Sequence, residues 1–130
     1  MFLDIIAEFL KKCPALSGKK ITVGYLSPKI GAVSLETVSA PPIIKRYTDG
    51  AALCQTVFSL NLRGETDEEM NFSPFFEEFL PWVESVSSPH TLPPLSGGFS
   101  PISLSVLRCG AEKSGSSTVF RIVCRFEYSN

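Results

Sequence analysis

Residues 119–128 read VFRIVCRFEY and carry a clear strand pattern. Apolar side chains recur at every second position from Phe120 to Tyr128, and a β-strand places alternate residues on the same face of a sheet. The other face carries both apolar and charged side chains: Val119, Arg121, Val123, Arg125 and Glu127. The pattern predicts a strand with one core face and one mixed face.

Two earlier segments extend this sheet. Ile102, Leu104 and Val106 alternate before a Ser- and Gly-containing stretch at 112–117, which predicts a hairpin with the last strand. Residues 54–62 also alternate, so we expect a core face and a wet outer face. The core face holds Cys54, Phe58, Leu60 and Leu62, and the outer face holds Gln55, Ser59, Asn61 and Arg63.

The N-terminal part combines a helix with short strands. Apolar residues spaced by three and four predict an amphipathic helix over 2–13, which Pro14 ends. Alternation over 21–26 and 33–38 predicts two strands that form a hairpin. Residues 43–47 can pair again after a double proline and before a turn at Asp49-Gly50.

A second helix follows an acidic segment. Thr66 to Glu69 form a capping-box pattern, and Ser73-Pro74 gives a second start signal before a run of aromatic residues. Pro81 is expected to kink or split this helix. Residues 87–101 contain four prolines and predict a long irregular connection, a kind of loop that is usually functional or mobile.

These elements predict an α+β fold, with an antiparallel or mixed β-sheet and two α-helices packed on one face. The chain of 130 residues, 44% of them hydrophobic, fits a single domain over 1–130 with a real core. Neither composition nor length favours a disordered chain.

Charge and hydropathy exclude several classes. A formal net charge of −1 disfavours nonspecific nucleic-acid binding. Lys11 and Lys12 end the first apolar segment, so we expect no membrane insertion, and the N-terminus lacks the pattern of a signal peptide. Four scattered cysteines fit reduced thiols in a cytoplasm. The charge is uneven: residues 1–64 hold eight bases and four acids, 65–84 seven acids and no base, and 85–130 four bases and two acids.

The chain offers little catalytic chemistry. Its one histidine, His90, lies in a proline-flanked loop, where surface positions are commoner than catalytic ones. The cysteines lack metal-ligand spacing, and Gly97-Gly98 lacks a phosphate-loop context. We therefore predict no enzyme, no catalytic residue, no cofactor and no metal.

The ordered pattern as a whole is similar to a known family. It comprises Lys11-Lys12-Cys13-Pro14 after the first helix, Ile21 to Leu26, Ser34-Leu35-Glu36, Pro42 to Gly50, Phe75 to Trp82, Leu92 to Leu95 and Phe120 to Tyr128. This pattern resembles the small tail-terminator, or minor capsid, proteins that complete the tails of long-tailed phages and prophages of Gram-positive bacteria. The segment from Ile43 to Gly50 is its most telling part.

The resemblance implies a structural virion protein that is made in the host cytoplasm and located in the tail. It would form a ring, usually a hexamer, which caps the tail tube protein and meets a head-completion protein, with DNA only as passing cargo. Closed rings need two different complementary patches, and the uneven charge supplies material for them. In the candidate oligomer interface, acidic residues of one copy face basic residues of its neighbour: Glu65, Asp67, Glu68 and Glu69 on one side, and Lys45, Arg46 or Arg63 on the other.

Alternatives remain open. The acidic segment could line a channel or be a plain solvated face. The protein could instead be a head–tail joining or minor capsid component of the same build. A further alternative is a small ligand-binding or enzymatic module in which the 87–101 loop covers a pocket with His90.

Overall fold

The computed structural model describes residues 2–16, 18–65, 72–115 and 117–130. Two α-helices and six strands form this part of the chain, together with a 3-10 turn at Pro14–Leu16. The helices are α1 (Leu3–Leu10) and α2 (Phe72–Val86). The strands are β1 (Ile21–Val23), β2 (Val33–Thr37), β3 (Ile43–Arg46), β4 (Ala52–Glu65), β5 (Ser100–Ser114) and β6 (Ser117–Ser129).

The six strands of the described residues form one mixed sheet. Its path runs β1-β2-β4-β6-β5, and β3 also pairs with β4. Because β6 occupies one side of β4 along 53–65, β2 and β3 share the other side, beside 58–62 and 52–54. The predicted α+β class with a mixed sheet and two helices is confirmed.

The predicted hairpin between the first two strands is wrong. β1 and β2 run parallel, with Ile21 opposite Val33. On its other edge, β2 pairs with β4 in the antiparallel direction. Alternation with period two defines strand faces but not strand direction. The connection 24–32 is long enough to return the chain, and Gly24 adopts a φ of 101° at its start.

The hydrophobic core lies on one face of the sheet. Phe58 and Leu60 of β4 and Ile122 and Phe126 of β6 are essentially inaccessible to solvent. Both helices contribute side chains to the same cluster: Ile6, Phe9 and Leu10 from α1, and Phe79 and Val83 from α2. The predicted core faces of these two strands are therefore confirmed.

Helix α2 runs unbroken through Pro81, so the predicted split does not occur. Phe79 and Val83 lie on either side of the proline, and both are buried in the core. Pro81 itself is exposed. It cannot donate the usual helix hydrogen bond, and burial of the two neighbouring side chains offsets that loss. The capping-box residues 66–69 lie outside the described residues.

The connection between α2 and β5 is irregular, as predicted, but it is anchored. Leu92 is buried, and Phe99 makes edge-to-face ring contacts with Phe2 and Tyr128 at centroid distances of 5.7 and 5.3 Å. The Thr91 hydroxyl donates to the carbonyl oxygen of Val86 at 2.5 Å. These contacts fix the loop against the end of α2 and the core.

Candidate interaction surfaces

The predicted interface residues fall into three groups: two exposed bases, one base that bonds within the chain, and four acidic residues. Lys45 and Arg46 are exposed on β3. Arg63 lies within β4 and bonds inside the chain: its Nε donates to the carbonyl oxygen of Ser27 at 2.9 Å and its Nη1 to the Ser117 hydroxyl at 2.6 Å. Its role in the described structure is to tie the 24–32 connection to the end of the hairpin.

The acidic side chains of that predicted set lie outside the described part of the structure. Glu65 ends β4, but its side chain is outside the described residues. Asp67, Glu68 and Glu69 also lie outside the described residues. Their predicted contact with basic groups of a neighbouring copy stays a prediction.

Strand β3 presents an unusual surface. All four of its residues are exposed, including Ile43 and Ile44. Among the described strands β3 pairs only with β4, so its outer edge is unpaired. A tight turn follows, in which the amide of Tyr47 donates to the carbonyl of Ala51 at 2.9 Å. An unpaired edge that carries apolar side chains is a ready site for contact with another chain.

The large exposed apolar side chains lie in separate places, and three of them, Ile43, Ile44 and Tyr47, lie in or directly after β3. Of six large ones among the described residues, five lie between residues 25 and 47, and the sixth is Leu107 on β5. Tyr25 and Ile30 lie in the connection beside Arg63, at the far end of β4 from β3. We call Ile43, Ile44, Lys45, Arg46 and Tyr47 the β3 strip.

The β5 end of the sheet carries a different surface. Helix α1 packs on β1 and β2, whereas α2 packs on β5, the strand at the other end of the path. Glu77, Glu78 and Glu84 are exposed on α2 together with Pro81. The sequence of α2 contains no basic residue. We call these four residues the acidic helix face.

The sheet face opposite the helices, here the open face, holds a buried polar network. Asn61 is fully buried, and its amide nitrogen donates to the Ser34 hydroxyl at 3.1 Å and to a Glu36 carboxylate oxygen at 2.5 Å. Its amide oxygen accepts from Nη1 of Arg121 at 3.1 Å. The Arg121 Nε lies 3.5 Å from a carboxylate oxygen of Glu112.

The predicted wet outer face of β4 is therefore only partly correct. Ser59 and Asn61 are buried, although both alternate with the core residues. Asn61 bonds to side chains of the two neighbouring strands, Ser34 and Glu36 of β2 and Arg121 of β6. Ser59 lines a groove of about 570 Å³, whose walls come from Glu36–Val38 near the end of β2 and from Arg108–Glu112 of β5. Strands that are not neighbours face each other across it, so the open face is concave.

The groove can present two guanidinium groups and two carboxylates. Arg108, Arg121, Glu36 and Glu112 line it, together with the exposed Cys109. His90 does not line it: this residue is exposed, and its amide donates to the Ser88 hydroxyl at 3.3 Å. The pocket around His90 in the alternative hypothesis is thus not the groove that the structure forms.

The cysteines are free thiols in the described structure, and three of the four are buried. Burial raises the pKa of the Cys124 thiol to about 12. Burial also raises the pKa of Cys13, and the charge of Glu78 adds to the effect. A raised pKa keeps a thiol protonated and unreactive at neutral pH.

The described ranges contain neither a metal-binding cluster nor a membrane-spanning helix. No group of three His, Cys, Asp or Glu side chains is placed there to hold a metal ion. Likewise, neither described helix has the length and apolarity needed to cross a bilayer.

Comparisons with known proteins bear on the fold. No protein-family model matches the sequence, and no curated protein matches it. A solved structure of a protein whose name states no activity is similar over 96% of this chain and 94% of its own, with a TM-score of 0.53 and 12% identity. At this identity the likeness concerns the fold alone.

Proposed function

We propose that this protein is a structural subunit of a long-tailed phage, a tail terminator that caps the tail tube as a ring. The observation that carries the proposal is the β3 strip, an apolar and basic surface on an unpaired sheet edge. Contiguous exposed apolar groups on a soluble subunit mark contacts with other proteins. The sequence pattern that resembles tail-completion proteins includes this same segment.

The proposed role places the protein in the virion tail after synthesis in the host cytoplasm. Its partners would be other copies of itself, the tail tube protein and a head-completion protein. A ring has heterologous contacts, in which one patch meets a different patch on the next copy. The β3 strip lies beside β4 and the acidic helix face lies on the helix that packs on β5, so the chain carries two separate patches for such contacts.

Binding to purified phage assemblies tests the proposal. Tail tubes lacking their terminator and head-side connector complexes would each be incubated with the protein and separated by sedimentation. The proposal expects binding to the tube end. Binding to the head-side complex alone would support the head–tail joining alternative, and binding to neither would contradict both assignments.

The groove favours a second candidate function, a ligand-binding module. Paired arginines and carboxylates around a concave floor can recognise a small molecule with charged groups. Arg108 and Arg121 would supply the donors. Paired Arg108→Ala and Arg121→Ala variants should lose ligand-induced thermal stabilisation if the groove binds a small acid, whereas the terminator role leaves both variants competent for assembly.

A further inference from the structure

Building on the proposed ring, we infer that the β3 strip of one subunit docks on the acidic helix face of the next copy. The inference deepens the proposed function, because it names both halves of the contact and the partner. The two surfaces belong to one chain and are different patches, since β3 lies beside β4 and α2 packs on β5. A contact between them is therefore heterologous, as ring closure requires.

Charge is the first argument for this pairing. Among the described residues, no carboxylate lies within ion-pair distance of Lys45 or Arg46, since the ion pairs there involve other bases. The Lys45 ammonium lies over the Tyr47 ring at 5.3 Å instead. Glu77 and Glu78 of α2 likewise take no part in those ion pairs. Each surface thus has uncompensated charge of the sign that the other needs.

Dimensions and apolar content agree with the pairing. The four residues of β3 extend over about 13 Å at the usual rise of a strand. From Glu77 to Glu84 the helix advances about 10 Å. Pro81 is exposed between the glutamates and offers an apolar ring for contact with Ile43 or Ile44 of the next copy. Each surface therefore has an apolar part and charges beside it, a composition typical of protein contacts.

A charge-swap experiment tests the contact. One variant carries Lys45→Glu and Arg46→Glu, and a second carries Glu77→Lys and Glu78→Lys. Each variant alone should need at least about tenfold more protein to assemble than the wild type does. Their equimolar mixture should assemble near the wild-type concentration, because each altered surface then meets a complementary one.

Controls separate this inference from the proposed function. The variant Lys19→Glu/Lys20→Glu makes the same charge change outside both surfaces and should assemble like the wild type. The milder Lys45→Gln/Arg46→Gln variant adds no new charge to β3 and should weaken assembly by a smaller factor. Circular dichroism verifies that each variant is folded.

Three outcomes would overturn the inference. It fails if either swapped variant assembles alone like the wild type, or if the mixture of folded variants does not assemble. In both cases a wild-type ring that still binds tail tubes leaves the proposed function standing. A wild-type protein that neither assembles nor binds tubes would instead refute the proposed function, and the inference with it.

Discussion

Replacing Ile43 and Ile44 by threonine should weaken assembly without unfolding the subunit. Threonine keeps the β-branched shape that suits a strand but removes apolar surface. The two isoleucines are 37% and 43% exposed. Full burial of an isoleucine contributes about 1.5 to 3 kcal/mol, so covering these exposed parts contributes about 1 to 2 kcal/mol to each contact. The dissociation constant of a contact should therefore rise by about 5- to 30-fold.

The assay is light scattering over a range of concentrations, with urea unfolding of the same samples. Leu107→Thr is the matched control, because Leu107 is 40% exposed on β5, outside the β3 strip and the acidic helix face. This control should assemble like the wild type. The reasoning is refuted if the doubly substituted strip assembles at wild-type concentration, or if Leu107→Thr weakens assembly to the same extent.

Four further predictions concern the subunit itself. Asn61→Ala should cost about 1 to 3 kcal/mol in urea unfolding because buried partners lose their hydrogen bonds, whereas Ser59→Ala, outside that network, should cost less. Phe79→Ala should cost about 3 to 5 kcal/mol in the same assay, since it empties a fully buried site; a loss below 1 kcal/mol would place Phe79 outside the core. A maleimide should label only Cys109 in the native protein. Because the pKa of Cys124 is raised in the fold, its contribution to stability is complete below the usual thiol pKa of 9.0, and stability should fall as pH rises from there toward 12; an unfolding free energy that is constant over this range would contradict it.

The strands were predictable where one face is buried. From Phe58 to Leu62 in β4 and from Phe120 to Tyr128 in β6 the alternation follows the core directly, because each core residue lies two positions from the next. The direction of β1 was not predictable, since parallel and antiparallel pairing need the same alternation. Of the two effects expected of Pro81, the split does not occur, because local helix preference takes no account of Phe79 and Val83, which are buried on either side of it.

The candidate surfaces were predictable in part. Lys45 and Arg46 stand in a short segment between prolines and a turn, where exposure follows from the sequence. Arg63 has the same charge, but its partner Ser117 is distant in sequence and is brought near by the pairing of β4 with β6. Asn61 was expected to be solvated for a similar reason: its partners Ser34 and Arg121 are distant in sequence, and only the pairing of β4 with β2 and β6 brings them beside it.

Assembly of the wild-type protein tests the central claim most directly. Its mass would be measured by light scattering across concentration, at low and high salt, with and without tail tubes that lack a terminator. The account predicts a ring of about six subunits, on the order of 85 kDa from a chain of 14.2 kDa, formed alone or on the tubes and weakened by salt. A protein that stays at 14.2 kDa and ignores the tubes would contradict it.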